Sequence, residues 1–174
     1  MKFLLGLIAG VLLLPLLAFL YVRMGYAPVA TAAPELPFEH KLTHMAMNAR
    51  IAREAPASAP LHPSDEDLAS GARIYREDCA VCHGVRDQSR TAIAKGMFPR
   101  PPLLLYGKGV TDDPVRETFW KVKNGIRLTG MPAFVGSLTD SEIWQVSLLL
   151  ANAGKLPVAV ETALAAPPSL AAPQ

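Results

Sequence analysis

No charged residue interrupts the apolar run from Phe3 to Val22, and Lys2 and Arg23 bracket it. Twenty residues at a helical rise of about 1.5 Å cover roughly 30 Å, the thickness of a bilayer's hydrocarbon core. The pattern predicts a transmembrane anchor over residues 1–24, and Pro15 inside the run is tolerable there. The rival reading is a cleaved signal peptide with Ala30-Thr31-Ala32 as its cleavage site. Against it, the run exceeds the roughly 7–15 residues of a signal's apolar region, and the candidate site lies well past its end. Both readings export the chain.

Residues 25–63 read as a linker, rich in Ala and Pro, interrupted by one helix. Within it Phe38, Leu42, Met45, Ala49 and Ala52 recur at three- and four-residue spacing, which predicts an amphipathic helix over 38–54. His40, Lys41, His44, Arg50 and Arg53 fall on its polar side. His40 and His44 have the i, i+4 spacing of a metal pair, but no third ligand accompanies them. Ser64 with Asp67 forms a capping box opening a helix over about 65–77. Asp113-Pro114 reads as an N-cap and first helical residue of a helix that Gly125 ends. Thr139 and Glu142 form a second box, opening a helix through Ile143, Trp144, Val146 and Leu148 to Leu150 that stops at Gly154. No segment reads as a strand. The pattern predicts an all-α domain over 64–156 and a disordered tail, mostly Ala, Pro, Val and Ser, over 157–174.

Composition narrows the function. The formal charge of +2 gives no argument for nucleic acid. The chain has two cysteines, Cys79 and Cys82, too close together to staple a fold, so they are present for chemistry.

They stand in Cys79-Ala80-Val81-Cys82-His83. Two thiols three positions apart reach the two vinyl groups on one haem edge, and the next residue aims an imidazole at the iron. A thiol–disulfide site would need a βαβ setting, which is not evident. A zinc site would need two further nitrogen or sulfur ligands, and His40, His44 and His62 all precede the domain. The motif therefore predicts one covalent haem c, with His83 as an axial ligand of its iron.

Met131, in Gly130-Met131-Pro132-Ala133-Phe134 between two expected helices, is the candidate for the sixth ligand. A methionine between glycine and proline sits on irregular backbone, suited to presenting a thioether. The competitor is Met97, also after a glycine but fourteen residues past His83, with little chain in which to cross a porphyrin.

From Ser64 to Leu156 the sequence resembles the class I cytochrome c family. The likeness runs through Gly71-x-x-x-Tyr75, Cys79–His83, the loop Met97-Phe98-Pro99-Arg100-Pro101-Pro102-Leu103, Asn124-Gly125-Ile126, Gly130-Met131-Pro132 and Trp144. It implies a helical wrap around one haem with His and Met axial ligands. It also implies that Gly71 permits a close helix crossing packed by Tyr75 and Trp144. The carbonyl near Pro99 or Pro101 would accept the His83 Nδ1–H, and Tyr106, Trp120 and Arg100 are candidates for the propionates. A longer segment, Asp87 to Lys95, departs from the family pattern.

With both axial positions filled, the expected function is electron transfer, not catalysis. The family attaches haem on the outer side of an energy-transducing membrane. This implies a single-pass protein of the inner (cytoplasmic) membrane with its haem domain on the periplasmic side. Between Val85 and Gly130 stand Arg86, Arg90, Lys95, Arg100, Lys108, Arg116, Lys121, Lys123 and Arg127, against Asp87, Asp112, Asp113 and Glu117. That excess of five positive charges suits a redox protein partner with an acidic docking face. The alternatives are a haem subunit of a larger oxidoreductase and a haem-based gas sensor.

Overall fold

A computed structural model describes residues 2–59, 63–105 and 113–166. The chain divides into two units, Met1–Thr43 and His44–Gln174. All regular structure among the described residues is helical.

In the first unit, α1 (Lys2–Arg23) carries Pro15 and keeps its large apolar side chains exposed. By length and composition it could cross a membrane. Helix α2 (Glu39–Glu54) runs across the boundary, with residues from His44 onward in the second unit, and forms where the spacing predicts it, but not with the expected face inward. Leu42 and Met45 remain 58% and 62% exposed, while Ile51, outside the predicted apolar row, is 3% exposed.

The second unit is built on three packed helices. Ser64 caps α3 (Asp65–Ile74): its Oγ accepts from the Asp67 N–H at 3.1 Å, and Asp67 Oδ2 accepts from the Ser64 N–H at 3.1 Å. The helix does not stop near residue 77. It widens into a π-helical turn over Tyr75–Cys79, where the Ala80 N–H reaches back to the Tyr75 carbonyl, and resumes as α4 (Ala80–His83). A short α5 (Ala92–Gly96) follows. Helix α6 (Val115–Asn124) begins differently from the expectation. Pro114, not Asp113, stands at the N-cap, because the Asp113 carboxylate is paired with Lys121 Nζ at 2.7 Å. Thr139 and Glu142 cap α7 (Asp140–Ala151) reciprocally at 3.3 and 2.8 Å. It ends short of Gly154, where Asn152 Nδ2 donates to the Leu148 carbonyl at 2.8 Å.

Helices α3 and α7 cross most closely at Gly71. A Cβ at Gly71 would stand 2.4 Å from the Gln145 carbonyl oxygen, so only glycine permits this approach. Around the crossing lie Leu68, Tyr75, Ile143, Val146 and Leu149, all buried. Helix α6 packs on α7 through Phe119, whose ring stacks on Trp144 at 4.1 Å between centroids. The expectation of a wholly disordered tail is corrected over its first part. Val158–Ala165 forms α8, which packs on α3 and buries Val160 and Leu164, an i, i+4 apolar pair. Arg86 fastens this end of the chain, donating to Glu161 Oε1 at 3.3 Å and to the Ala153 carbonyl. Residues 167–174 lie outside the described residues.

The two capping carboxylates make the fold sensitive to acid. Asp67 is held below the ordinary carboxylate range by the Ser64 hydroxyl, then by Gln145 Nε2 at 3.1 Å and the Ser64 N–H. Glu142 is held below it by the Thr139 N–H and hydroxyl. A carboxyl whose folded pKa is depressed stabilises the fold above its unfolded pKa, and that contribution is lost as pH falls through the folded value. Helicity followed by circular dichroism is therefore expected to hold at neutral pH and to decline below about pH 4. A double Asp67→Asn, Glu142→Gln variant should be less stable at neutral pH and show a shallower acid decline. An unchanged acid profile would show that the boxes do not govern it.

Candidate functional site

The continuous α3–π–α4 helix carries Cys79, Cys82 and His83 on its last two turns. Tyr75 fixes this end of the helix. Its ring is completely buried, and its hydroxyl donates to the Gly84 carbonyl at 2.7 Å, just past His83. Burial raises the pKa of that hydroxyl, which therefore stays a donor. Both cysteines are unpaired and partly buried. Burial first, then the neighbouring Asp78 and Cys82, pushes the Cys79 thiol up to about 12, so it is neutral at ordinary pH.

The His83 ring has one nitrogen committed. Nδ1 lies 2.8 Å from the Pro102 carbonyl oxygen, which can only accept, so Nδ1 carries the proton and donates. Nε2 is then left with its lone pair for a metal. Burial lowers the pKa of the ring, partly offset by the Pro102 carbonyl, so the neutral form is favoured. Of the two expected places, near Pro99 or near Pro101, the acceptor lies at the second, on the residue immediately after Pro101. Arg90 Nη1 takes the Pro101 carbonyl, which turns the next one toward His83. The segment Asp87 to Lys95, which departs from the family pattern, is tied to the motif helix. Thr91 Oγ1 donates to the Val81 carbonyl at 2.6 Å.

Met131 sits on a loop held at both ends. Gly125 ends α6 at φ 66°, and a Cβ there would meet Pro132 and Ala133 backbone at 2.7 Å. Phe134 and Val135 donate back to the Val122 and Lys123 carbonyls at 3.2 and 3.1 Å, which completes the last turn of α6. Thr129 Oγ1 accepts from the Met131 N–H at 3.1 Å, and the Met131 carbonyl accepts from the Ile126 N–H at 3.2 Å. The Met131 side chain is partly buried and packs against the core. Met97, set aside for want of chain length, does reach this loop. Its methyl group lies where a Cβ on Gly130 would stand.

Of the propionate candidates, Trp120 is otherwise engaged, its indole N–H donating to Glu54 Oε2 at 3.2 Å. Arg100 is exposed, and Tyr106 lies outside the described residues. Sequence reasoning missed the roles of Arg90 and Thr91. Only Thr91 left a signal, as a threonine three residues before Ala94, whose N–H it caps at 3.1 Å.

Two unpaired thiols on one helix, an imidazole with Nε2 available and a thioether on a fixed loop make a donor set that fits a covalent haem. The comparisons with known proteins agree. A family model described as cytochrome c oxidase, cbb3-type, subunit III matches residues 66–148. Cytochrome c6 of Limnospira maxima is 34% identical over 82 residues, which are 47% of this chain and 86% of that protein. The chain belongs to the c-type cytochromes. This cytochrome carries covalent haem c with its iron, and its function is haem-based electron transfer. Cytochrome c6 of Parathermosynechococcus lividus is 31% identical over 81 residues, 47% of this chain and 84% of that one. Among solved structures, the cytochrome resembles a chain of the reducing HAO-like protein complex of Kuenenia stuttgartiensis at 24% identity and a TM-score of 0.48. That match covers 54% of this chain and 46% of the other.

Proposed function

We propose that this cytochrome is a membrane-tethered electron carrier. Cys79 and Cys82 form the thioethers, His83 Nε2 is one axial ligand, and Met131 is the other. The observation that carries the reading is the His83 Nδ1–H on the Pro102 carbonyl, which reserves Nε2 for iron. With methionine opposite, no position is left for substrate, and a weak neutral thioether raises the potential relative to a second imidazole. Helix α1 supplies the anchor, with the haem domain on the periplasmic side of the inner membrane. Docking on an acidic partner draws on fewer charges than the sequence count. Arg86, Lys121 and Lys123 are paired with Glu161, Asp113 and Asp140, while Lys95, Arg100 and Arg127 are exposed. Lys108 and Asp112 lie outside the described residues.

A second reading is a haem subunit of a larger oxidoreductase, favoured by the family model's own description as an oxidase subunit. Co-purification from membranes separates the two.

The axial ligand is tested by the visible spectrum of haem-loaded protein, comparing wild type with Met131→Ala and Met97→Ala. The weak long-wavelength band of methionine-ligated ferric haem is expected in wild type and Met97→Ala, and absent from Met131→Ala. Loss of the band in Met97→Ala alone would move the ligand to Met97. If wild type lacks the band and its reduced iron takes up carbon monoxide, the iron is open and the gas-sensor reading gains.

A further inference from the structure

The hydrogen bond that orients His83 joins two separate stretches of backbone. The ring belongs to α4, and its acceptor belongs to the proline loop at Pro102. Two adjacent side chains between them in sequence hold both stretches. Thr91 Oγ1 donates to the Val81 carbonyl at 2.6 Å, on the helix that carries the ring and two positions before it. The same oxygen accepts from the Ala94 N–H at 3.1 Å, so the hydroxyl is used in both directions and its rotamer is set. Arg90, half-buried, donates from Nη1 to the Pro101 carbonyl, one peptide before the oxygen that receives the His83 proton. The ring of Pro102 fixes φ between these two carbonyls, so their directions are coupled. Holding the first on Arg90 therefore aims the second at the ring.

We infer that Arg90 and Thr91 are positioning residues for the haem imidazole, clasping α4 to the Pro101–Pro102 stretch so that the Pro102 carbonyl stays on Nδ1–H. The inference rests on His83 being the iron ligand. A carbonyl held on Nδ1–H raises the basicity of the ring, and a more basic ligand favours ferric iron. Loosening the clasp therefore raises the reduction potential. Removing the Arg90 charge alone acts in the opposite direction, because a nearby cation disfavours the additional positive charge of ferric iron. The opposed signs separate positioning from simple charge.

The test uses the full chain loaded with haem. Two quantities are read: the midpoint potential at neutral pH, and the exchange rate of the His83 Nδ1–H from its hyperfine-shifted proton resonance in the oxidised protein. Thr91→Val, which changes no charge, is expected to move the reduction equilibrium about threefold to tenfold toward ferrous iron. It should speed Nδ1–H exchange by a similar factor, and Thr91→Ser should restore both. Arg90→Lys, which keeps the charge but loses the forked donor, should shift both quantities in the same direction as Thr91→Val. Wild-type potential and exchange in Thr91→Val and Arg90→Lys would overturn the inference. A lowered potential in Arg90→Gln with Arg90→Lys unchanged would leave Arg90 acting as a charge and overturn its positioning role. Should Thr91→Val not take up haem, Arg90→Lys decides through the same two readouts. A wild-type Nδ1–H resonance without a hyperfine shift would overturn the ligand assignment, and this inference with it.

Discussion

Gly71→Val is expected to leave no stably folded haem domain. Its Cβ would stand 2.4 Å from the Gln145 carbonyl oxygen, 2.8 Å from the Gln145 carbonyl carbon and 3.1 Å from the Leu149 Cβ. Overpacking against mobile side chains costs about 1–3 kcal/mol. Here the obstacle is the backbone of α7, which yields only if the α3–α7 crossing opens. The loss should therefore exceed about 3 kcal/mol, a large part of the roughly 5–15 kcal/mol that stabilises an ordinary domain. Gly71→Ala should show the same defect in milder form. Gly96→Ala is the control, since nothing lies within 4 Å of its added Cβ. Thermal melts by circular dichroism decide the matter, and a wild-type melt for Gly71→Ala would sink the account of the crossing.

Tyr75→Ala should cost about 3–5 kcal/mol, the range for removing a fully buried aromatic ring. The loss combines a cavity in the core cluster that also holds Ile143 and Leu149 with a Gly84 carbonyl deprived of its donor at 2.7 Å. Tyr75→Phe separates the two parts and should cost about 1 kcal/mol, since it keeps the ring and removes the hydrogen bond. Guanidinium unfolding is the measurement, read as a shift in midpoint at constant slope. Equal losses for Phe and Ala would mean that the hydroxyl, and not the ring, does most of the stabilising. The hydroxyl grips the residue immediately after His83. Tyr75→Phe should therefore also loosen the end of α4 and lower haem incorporation, whereas a core change remote from Gly84 should not.

The features legible in the sequence are those decided within one turn of chain. Ser64 with Asp67, and Thr139 with Glu142, form the hydrogen bonds their spacing predicts, because a capping box involves only neighbours. Cys79, Cys82 and His83 lie together at a helix end for the same reason. Features that depend on distant partners were not legible. Asp113 is drawn from its capping role by Lys121, eight residues further on. The His83 acceptor is Pro102 and not a neighbouring proline because Arg90 takes the Pro101 carbonyl. Trp120 turns to Glu54, which precedes the domain boundary drawn from composition. Helix α8 was hidden by the Ala- and Pro-rich tail around it, although Val160 and Leu164 carried the right spacing. In α2 the regular apolar row is the face left exposed, and the single buried side chain, Ile51, lies off it.

The crossing at Gly71 also bears on the order of events during synthesis. It joins a helix near the start of the haem-bearing unit to one near its end, so the contact requires closure of nearly the whole intervening chain. As the polypeptide emerges from its N-terminus, Cys79 and Cys82 are synthesised before α7 exists to bury the helix that carries them. During that interval Cys79 and Cys82 belong to an open segment in which both sulfur atoms are accessible. Closure of α7 over α3 then follows as a separate, later event.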